Sequence, residues 1–171
     1  MSLFVMTELM LFSGFISAHT IVRASARGAI WPPPGQPRLP VEATAVTTAL
    51  LIASGVLLFL AGKALKKGSP SFQKLLLGCV VLGMVFVGAQ GTEWVGLLNE
   101  GLTVTSSVYG GFFYVIIGCH ALHAVIALLF LMRLQLLSFK GTMTPEQLWT
   151  VQTLWYFVVG MWPVLYATVY L

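Results

Sequence analysis

Apolar residues fill five long runs, at 2–24, 41–65, 72–98, 107–139 and 147–171, and the short segments between them hold most of the prolines. A helix that crosses a bilayer needs about 20 mostly apolar residues, and each run supplies them. The pattern predicts an all-α integral membrane protein, a bundle of five transmembrane helices in a single domain over residues 1–171. The fourth run is longer than a bilayer requires, so its helix is expected to tilt or to extend beyond the membrane. The connector KKGSPS is short, which makes helices two and three antiparallel neighbours. Between the first two runs lies SARGAIWPPPGQPRLP, whose prolines withhold helix hydrogen bonds and favour extended backbone. Trp31 in that segment suits the headgroup layer.

Composition sharpens this reading. The chain is 58% hydrophobic and 8% charged, whereas soluble domains run at about 45–50% and about 25%. It has no aspartate, and its five acidic residues are all glutamates. The net charge of +4 suits anionic headgroups. No basic stripe with interleaved aromatics points to nucleic acid. Placing the N-terminus inside gives the inner side six cations (Lys63, Lys66, Lys67, Lys74, Arg133 and Lys140) and the outer side three (Arg23, Arg27 and Arg38). This bias predicts the N-terminus inside and the C-terminus outside. The opening MSLFVMTELMLF lacks a basic stretch and carries Glu8, so the first helix is expected to begin almost at residue 1, without a cleaved signal peptide.

Small residues recur inside the runs: Gly14 and Ala18 in the first, and Gly78, Gly83, Gly88, Gly91 and Gly96 in the third. In lipid, helices associate through close backbone approach at such residues, so the third helix is expected to be central. Cys79 and Cys119 sit mid-run among apolar neighbours and read as small hydrophobes, with no disulfide or metal role.

A few polar residues stand out within the runs. Glu8 shares a helix face with Leu11, Phe12, Phe15 and His19. His19 lies about 16 Å further along the axis, too far to pair with it. A carboxyl in these surroundings either holds a proton or finds a partner on another helix, and it is a candidate for proton handling or for organising lipid. Gln90 and Glu93, at i and i+3, are expected to make interhelical hydrogen bonds. An antiparallel pair centred on Leu102 sets Glu93 and His120 roughly 13 Å apart along the axis, so direct pairing is not expected. His120 and His123 could face one metal, but two ligands fall short of the three or four that zinc takes. They are expected to be hydrogen-bonded within the bundle opposite Gly83. No catalytic triad, phosphate loop or dinucleotide fingerprint appears, so no catalytic residue and no metal ligand is assigned.

Four ordered blocks carry a family resemblance. They are Thr7-Glu8 followed by Phe12 and Gly14; Trp31-Pro32-Pro33-x-Gly35, then Pro40, Glu42, Thr48 and Ala53-Ser54-Gly55; Gln90-x-x-Glu93-Trp94; and Tyr109-Gly110, Phe113-Tyr114 and Gly118-x-His120-x-x-His123. Together they resemble subunit III of the haem–copper respiratory oxidases, in a short five-helix form. The chain departs from the family's Trp-His-Phe-Val-Asp in the last helix, where it reads Trp155-Tyr156-Phe157-Val158-Val159. Ala121 and Ile117 replace a glycine and a threonine, and no role is carried to any of these positions.

The resemblance implies a subunit with no cofactor of its own in a proton-pumping cytochrome c oxidase, with haem and copper in partner subunits. It would pack mainly against subunit I, with subunit II and phospholipids as further partners, and support proton uptake and turnover stability. It implies a bacterial plasma membrane, and leaves a larger respiratory supercomplex, a quinol oxidase or a nitric oxide reductase as alternative settings. A small autonomous ion transporter would require polar stripes along several helices, and these are missing. Longer family members have seven helices, so helices from a partner are expected to stand in for the first two, against an apolar side formed by Phe4, Phe12 and Phe15.

Overall fold

The computed structural model describes residues 2–25 and 39–170. The proline-rich connector, with Trp31, Arg27 and Arg38, lies outside the described residues. The elements are α1 (Ser2–Ser25), α2 (Val41–Lys66), α3 (Ser71–Asn99), α4 (Val108–Phe139) and α5 (Pro145–Leu165), the last continuing as a π-helical turn, Tyr166–Tyr170. All five are long and apolar enough to cross a membrane. The last helix differs most from its predicted bounds. Thr144 accepts from the Gln147 N–H at 3.3 Å while the Gln147 side chain accepts from the Thr144 N–H at 3.0 Å. This reciprocal cap, with Pro145 at the first helical position, starts α5 earlier than hydropathy alone suggests.

Helix α2 packs on α3, α3 on α4, α4 on α5, and α5 back on α2, which closes a four-helix ring. Helix α1 lies outside the ring, against α4 and α5. The short α2–α3 connector makes these two helices neighbours, as expected. Gly68, at φ +64°, lets the Ser69 N–H reach the Ala64 carbonyl at 2.9 Å, and Gly141 at φ +68° ends α4 the same way, with Thr142 on Leu137.

The seam between α2 and α5 is a ladder of side-chain donors. From one end to the other, Gln152 Nε2 donates to the Leu58 carbonyl (3.2 Å), Trp155 Nε1 to Ser54 Oγ (3.1 Å), Trp162 Nε1 to Thr48 Oγ1 (2.8 Å), and the Tyr166 hydroxyl to the Val41 carbonyl (3.0 Å). The α5 donors ascend as the α2 acceptors descend, which fixes an antiparallel register. At one end of the α3–α4 seam, Gln73 Nε2 donates to the Ser138 carbonyl (3.1 Å) and Gln135 Nε2 to the Gln73 carbonyl (3.4 Å).

The expectation of a central third helix is corrected. A β-carbon at Gly78 would lie 3.1 Å from Leu57, so that glycine does serve the α2–α3 contact. At Gly88, Gly91 and Gly96 a β-carbon would meet nothing within 4 Å. Three of the five glycines therefore lie on open surface, and α3 is one wall of the ring. Gly83 is also placed differently from expectation. It faces Trp155 and Leu128, whose atoms would come within 2.9 Å and 3.0 Å of an added β-carbon, and the two histidines do not lie opposite it.

Candidate functional site

The polar residues form two clusters. The first lies where α1 meets α4 and α5. Phe12 is fully buried there, its ring 6.2 Å from that of His120, 5.9 Å from His123 and 6.0 Å from Phe157. Phe4 adds a contact to His123 at 6.2 Å. Phe12 thus faces the chain's own histidines, which corrects its assignment to a side open to other helices, whereas Phe4 touches His123 and is still 39% exposed. The outward face of α1 is carried instead by Leu3, Met6, Met10 and Ile21, each more than half exposed.

Glu8 precedes Phe12 by one helical turn and so points the same way. Its Oε2 lies 3.2 Å from His123 Nε2, and both side chains are largely buried. The carboxyl therefore finds its partner on another helix. The other imidazole nitrogen, Nδ1, lies 2.7 Å from the Cys119 carbonyl oxygen. A carbonyl only accepts, so Nδ1 carries a hydrogen. Glu8 Oε2 makes no hydrogen bond at this geometry, so the two groups face one another across 3.2 Å without one. Proximity to a basic ring matters here because an uncompensated ion in hydrocarbon costs about 3 kcal/mol on insertion scales. His19 takes no part in this pair, as the spacing predicts; it is buried further along α1, against the Phe112 ring at 5.9 Å.

His120 departs from expectation. Its ring is 1% exposed, stacks on Trp162 at 5.1 Å, and neither nitrogen has a hydrogen-bond partner. The two histidines therefore do not behave alike. His123 is bonded to backbone and faces Glu8, while His120 is held by aromatic packing alone.

The second cluster joins α3 to α2. Glu93 Oε2 accepts from Thr44 Oγ1 at 3.1 Å and, on its own helix, from Gln90 Nε2. The interhelical bond expected of this pair is thus made by Glu93 alone, and its partner Thr44 was not among the residues singled out. Thr44, Thr47 and Thr48 are all buried within α2. That threonine stripe on an apolar helix is the signal that marks this face. Glu93 and His120 do not pair, in keeping with the axial offset. Among the described residues no group of three or more His, Cys, Asp or Glu could hold a metal ion. Cys79 and Cys119 are both free thiols.

The positions that depart from the family pattern have ordinary packing roles. Val159 seats against Gly55, its Cγ1 3.1 Å from where a β-carbon would stand. Tyr156 borders a 260 Å³ groove with Lys63, Lys66 and Trp149.

Comparison with known proteins gives one consistent result. The family model described as cytochrome c oxidase subunit III matches residues 1–171. The chain is 32% identical over 168 residues to the probable cytochrome c oxidase subunit 3 of Nocardia farcinica, covering 96% of this chain and 82% of that protein. It is 33% identical over 178 residues to cytochrome c oxidase subunit 3 of Pelomedusa subrufa, covering 99% of this chain and 67% of the relative. The Mus musculus protein of the same description is 30% identical over the same coverage.

Proposed function

Because the chain belongs to the cytochrome c oxidase subunit III family, we propose that it supports the proton uptake and working lifetime of a haem–copper oxidase without carrying a redox centre. The observation that carries this reading is the Glu8–His123 contact, an ionisable pair set between helices in an apolar bundle. A carboxyl and an imidazole in contact can pass a proton between them without changing the net charge of the pair. Its partners are subunit I as the main contact, subunit II, and phospholipid, in a bacterial plasma membrane with cytochrome c as electron donor. The exposed apolar face of α1, at Leu3, Met6, Met10 and Ile21, supports a helix or lipid contact on that side. The inner placement of the N-terminus rests on the Lys and Arg bias.

Glu8→Ala is expected to leave assembly intact while lowering proton uptake or shortening the active lifetime of the oxidase several-fold. Glu8→Gln, which keeps the shape but cannot exchange the proton, should behave like the alanine variant. Turnover, pumping and inactivation rates all equal to wild type would reduce Glu8 to a structural contact.

We place the oxidase's haem and copper in partner subunits, a reading supported by the engagement of His123 with Cys119 and Glu8 and by the lack of three candidate ligands in one place among the described residues. Elemental analysis of the isolated subunit is expected to find iron, copper and zinc well below one per chain. A stoichiometric amount of any of them would overturn this assignment.

A further inference from the structure

A cavity of 180 Å³ lies between α3 and α4, bordered by Phe86, Gln90, Trp94, His120, Ala121 and Trp162 among others. Its wall is largely apolar, yet three of these residues hold buried polar atoms with no partner: Gln90 Oε1, Trp94 Nε1 and both nitrogens of His120. Gln90 and His120 are 7% and 1% exposed. Gln90 and Trp94 stand one turn apart on α3, and His120 comes from α4, so residues with unpartnered atoms border the cavity from both walls. Buried polar atoms of native proteins are almost always paired, with protein or with ordered water. Several at one cavity require an account.

We propose that this cavity is hydrated, and that its water links the Thr44–Glu93–Gln90 cluster to His120 across the α3–α4 seam. The chemistry matches. Gln90 Nε2 is used on Glu93, which leaves Oε1 as an acceptor. The Trp94 indole N–H is a donor, and a neutral imidazole offers one donor and one acceptor. More than one water is needed, because the two imidazole nitrogens point away from each other, and together such waters complete all four. Room is ample, since one water needs about 30 Å³. Each of these atoms exposes less than 1 Å², so hydration has the Trp94, Gln90 and His120 side chains turn slightly toward the cavity they border. His120 is one turn from His123, so the water brings the two polar clusters within reach of one another.

The test uses the chain purified in mild detergent with the subunits that accompany it. Electron cryo-microscopy, at a resolution that shows ordered water elsewhere in the complex, is expected to show discrete density within 3.5 Å of a His120 nitrogen and of Gln90 Oε1 or Trp94 Nε1. Continuous acyl-chain density there, or an empty cavity with His120 still unpartnered, would overturn the proposal. Two variants read the same question through stability. Ala121→Leu fits the available volume. In a wet cavity it expels water and strands the polar atoms, whereas Ala121→Ser keeps them solvated. The expected order of melting temperature is therefore serine near wild type and leucine several degrees lower. A dry cavity gives the reverse order, with leucine at or above wild type.

Discussion

Gly83→Leu is expected to break the bundle at its waist, with a loss of folded subunit larger than that from any other glycine in α3. Even the first added carbon would sit 2.9 Å from Cη2 of Trp155 and 3.0 Å from Cδ1 of Leu128. Neither neighbour can retreat cheaply. Trp155 is fully buried and anchored through its N–H to Ser54 at 3.1 Å, and Leu128 is 6% exposed. Overpacking a well-packed core costs about 1–3 kcal/mol, and more when backbone must shift. Here leucine adds three further carbons to an already short contact, so the upper end applies. The matched control is Gly88→Ala, where nothing lies within 4 Å. Alanine there should be neutral, or stabilising by about 0.5–1 kcal/mol through helix propensity. Thermal unfolding of the full chain in mild detergent checks both. Equal melting temperatures for Gly83→Leu and wild type would show that Trp155 does not rest on α3. If Gly88→Ala destabilises the assembled complex but not the isolated chain, the open glycine face of α3 is covered by a partner subunit.

The five helices were legible because hydrophobic length is a local signal, and most of their ends follow from it within one residue. The exception is instructive: α5 begins earlier because a cap overrides hydropathy, and that cap is itself written in the sequence as Thr144-Pro145-x-Gln147. What the sequence withheld is which face meets which helix. Glycines read as a packing stripe for α3 turned out to divide, Gly78 and Gly83 facing helices and Gly88, Gly91 and Gly96 facing outward. Glu8 was recognisable as a carboxyl in need of a partner, but His123 could be identified only once α1 was seen to lie along α4. Trp155 and Trp162, seven residues and so two turns apart, share a face by spacing alone. Their acceptors Ser54 and Thr48 depend on the depth at which α2 meets α5, and no local pattern encodes that. His120 shows the limit most clearly. It shares a helix face with His123, yet one faces a carboxylate and the other an indole.

The α2–α5 ladder allows the two sources of bundle stability to be separated at Trp162. This side chain is 1% exposed, stacks on His120 at 5.1 Å, meets Phe86 edge-on at 5.1 Å, and donates to Thr48 Oγ1 at 2.8 Å. Truncating a buried tryptophan or phenylalanine to alanine costs about 3–5 kcal/mol in soluble cores. Hydrogen bonds between membrane helices average about 0.6 kcal/mol and reach about 1.7. Packing should therefore dominate. Trp162→Ala is expected to be the most destabilising single change in the ladder, and Trp162→Phe much milder. Thr48→Val keeps the shape but removes the acceptor, leaving the indole N–H buried and unpaired at a cost of about 1–2 kcal/mol. Combining Thr48→Val with Trp162→Phe removes donor and acceptor together. The double variant should then be more stable than the sum of the single effects predicts, by about 1 kcal/mol. Reversible unfolding in mixed detergent measures all four proteins. Strict additivity would mean that the hydrogen bond contributes nothing and that the ladder is held by ring packing alone. A Thr48→Val loss equal to that of Trp162→Ala would mean the opposite, that the hydrogen bond and not the packed indole holds α5 to α2.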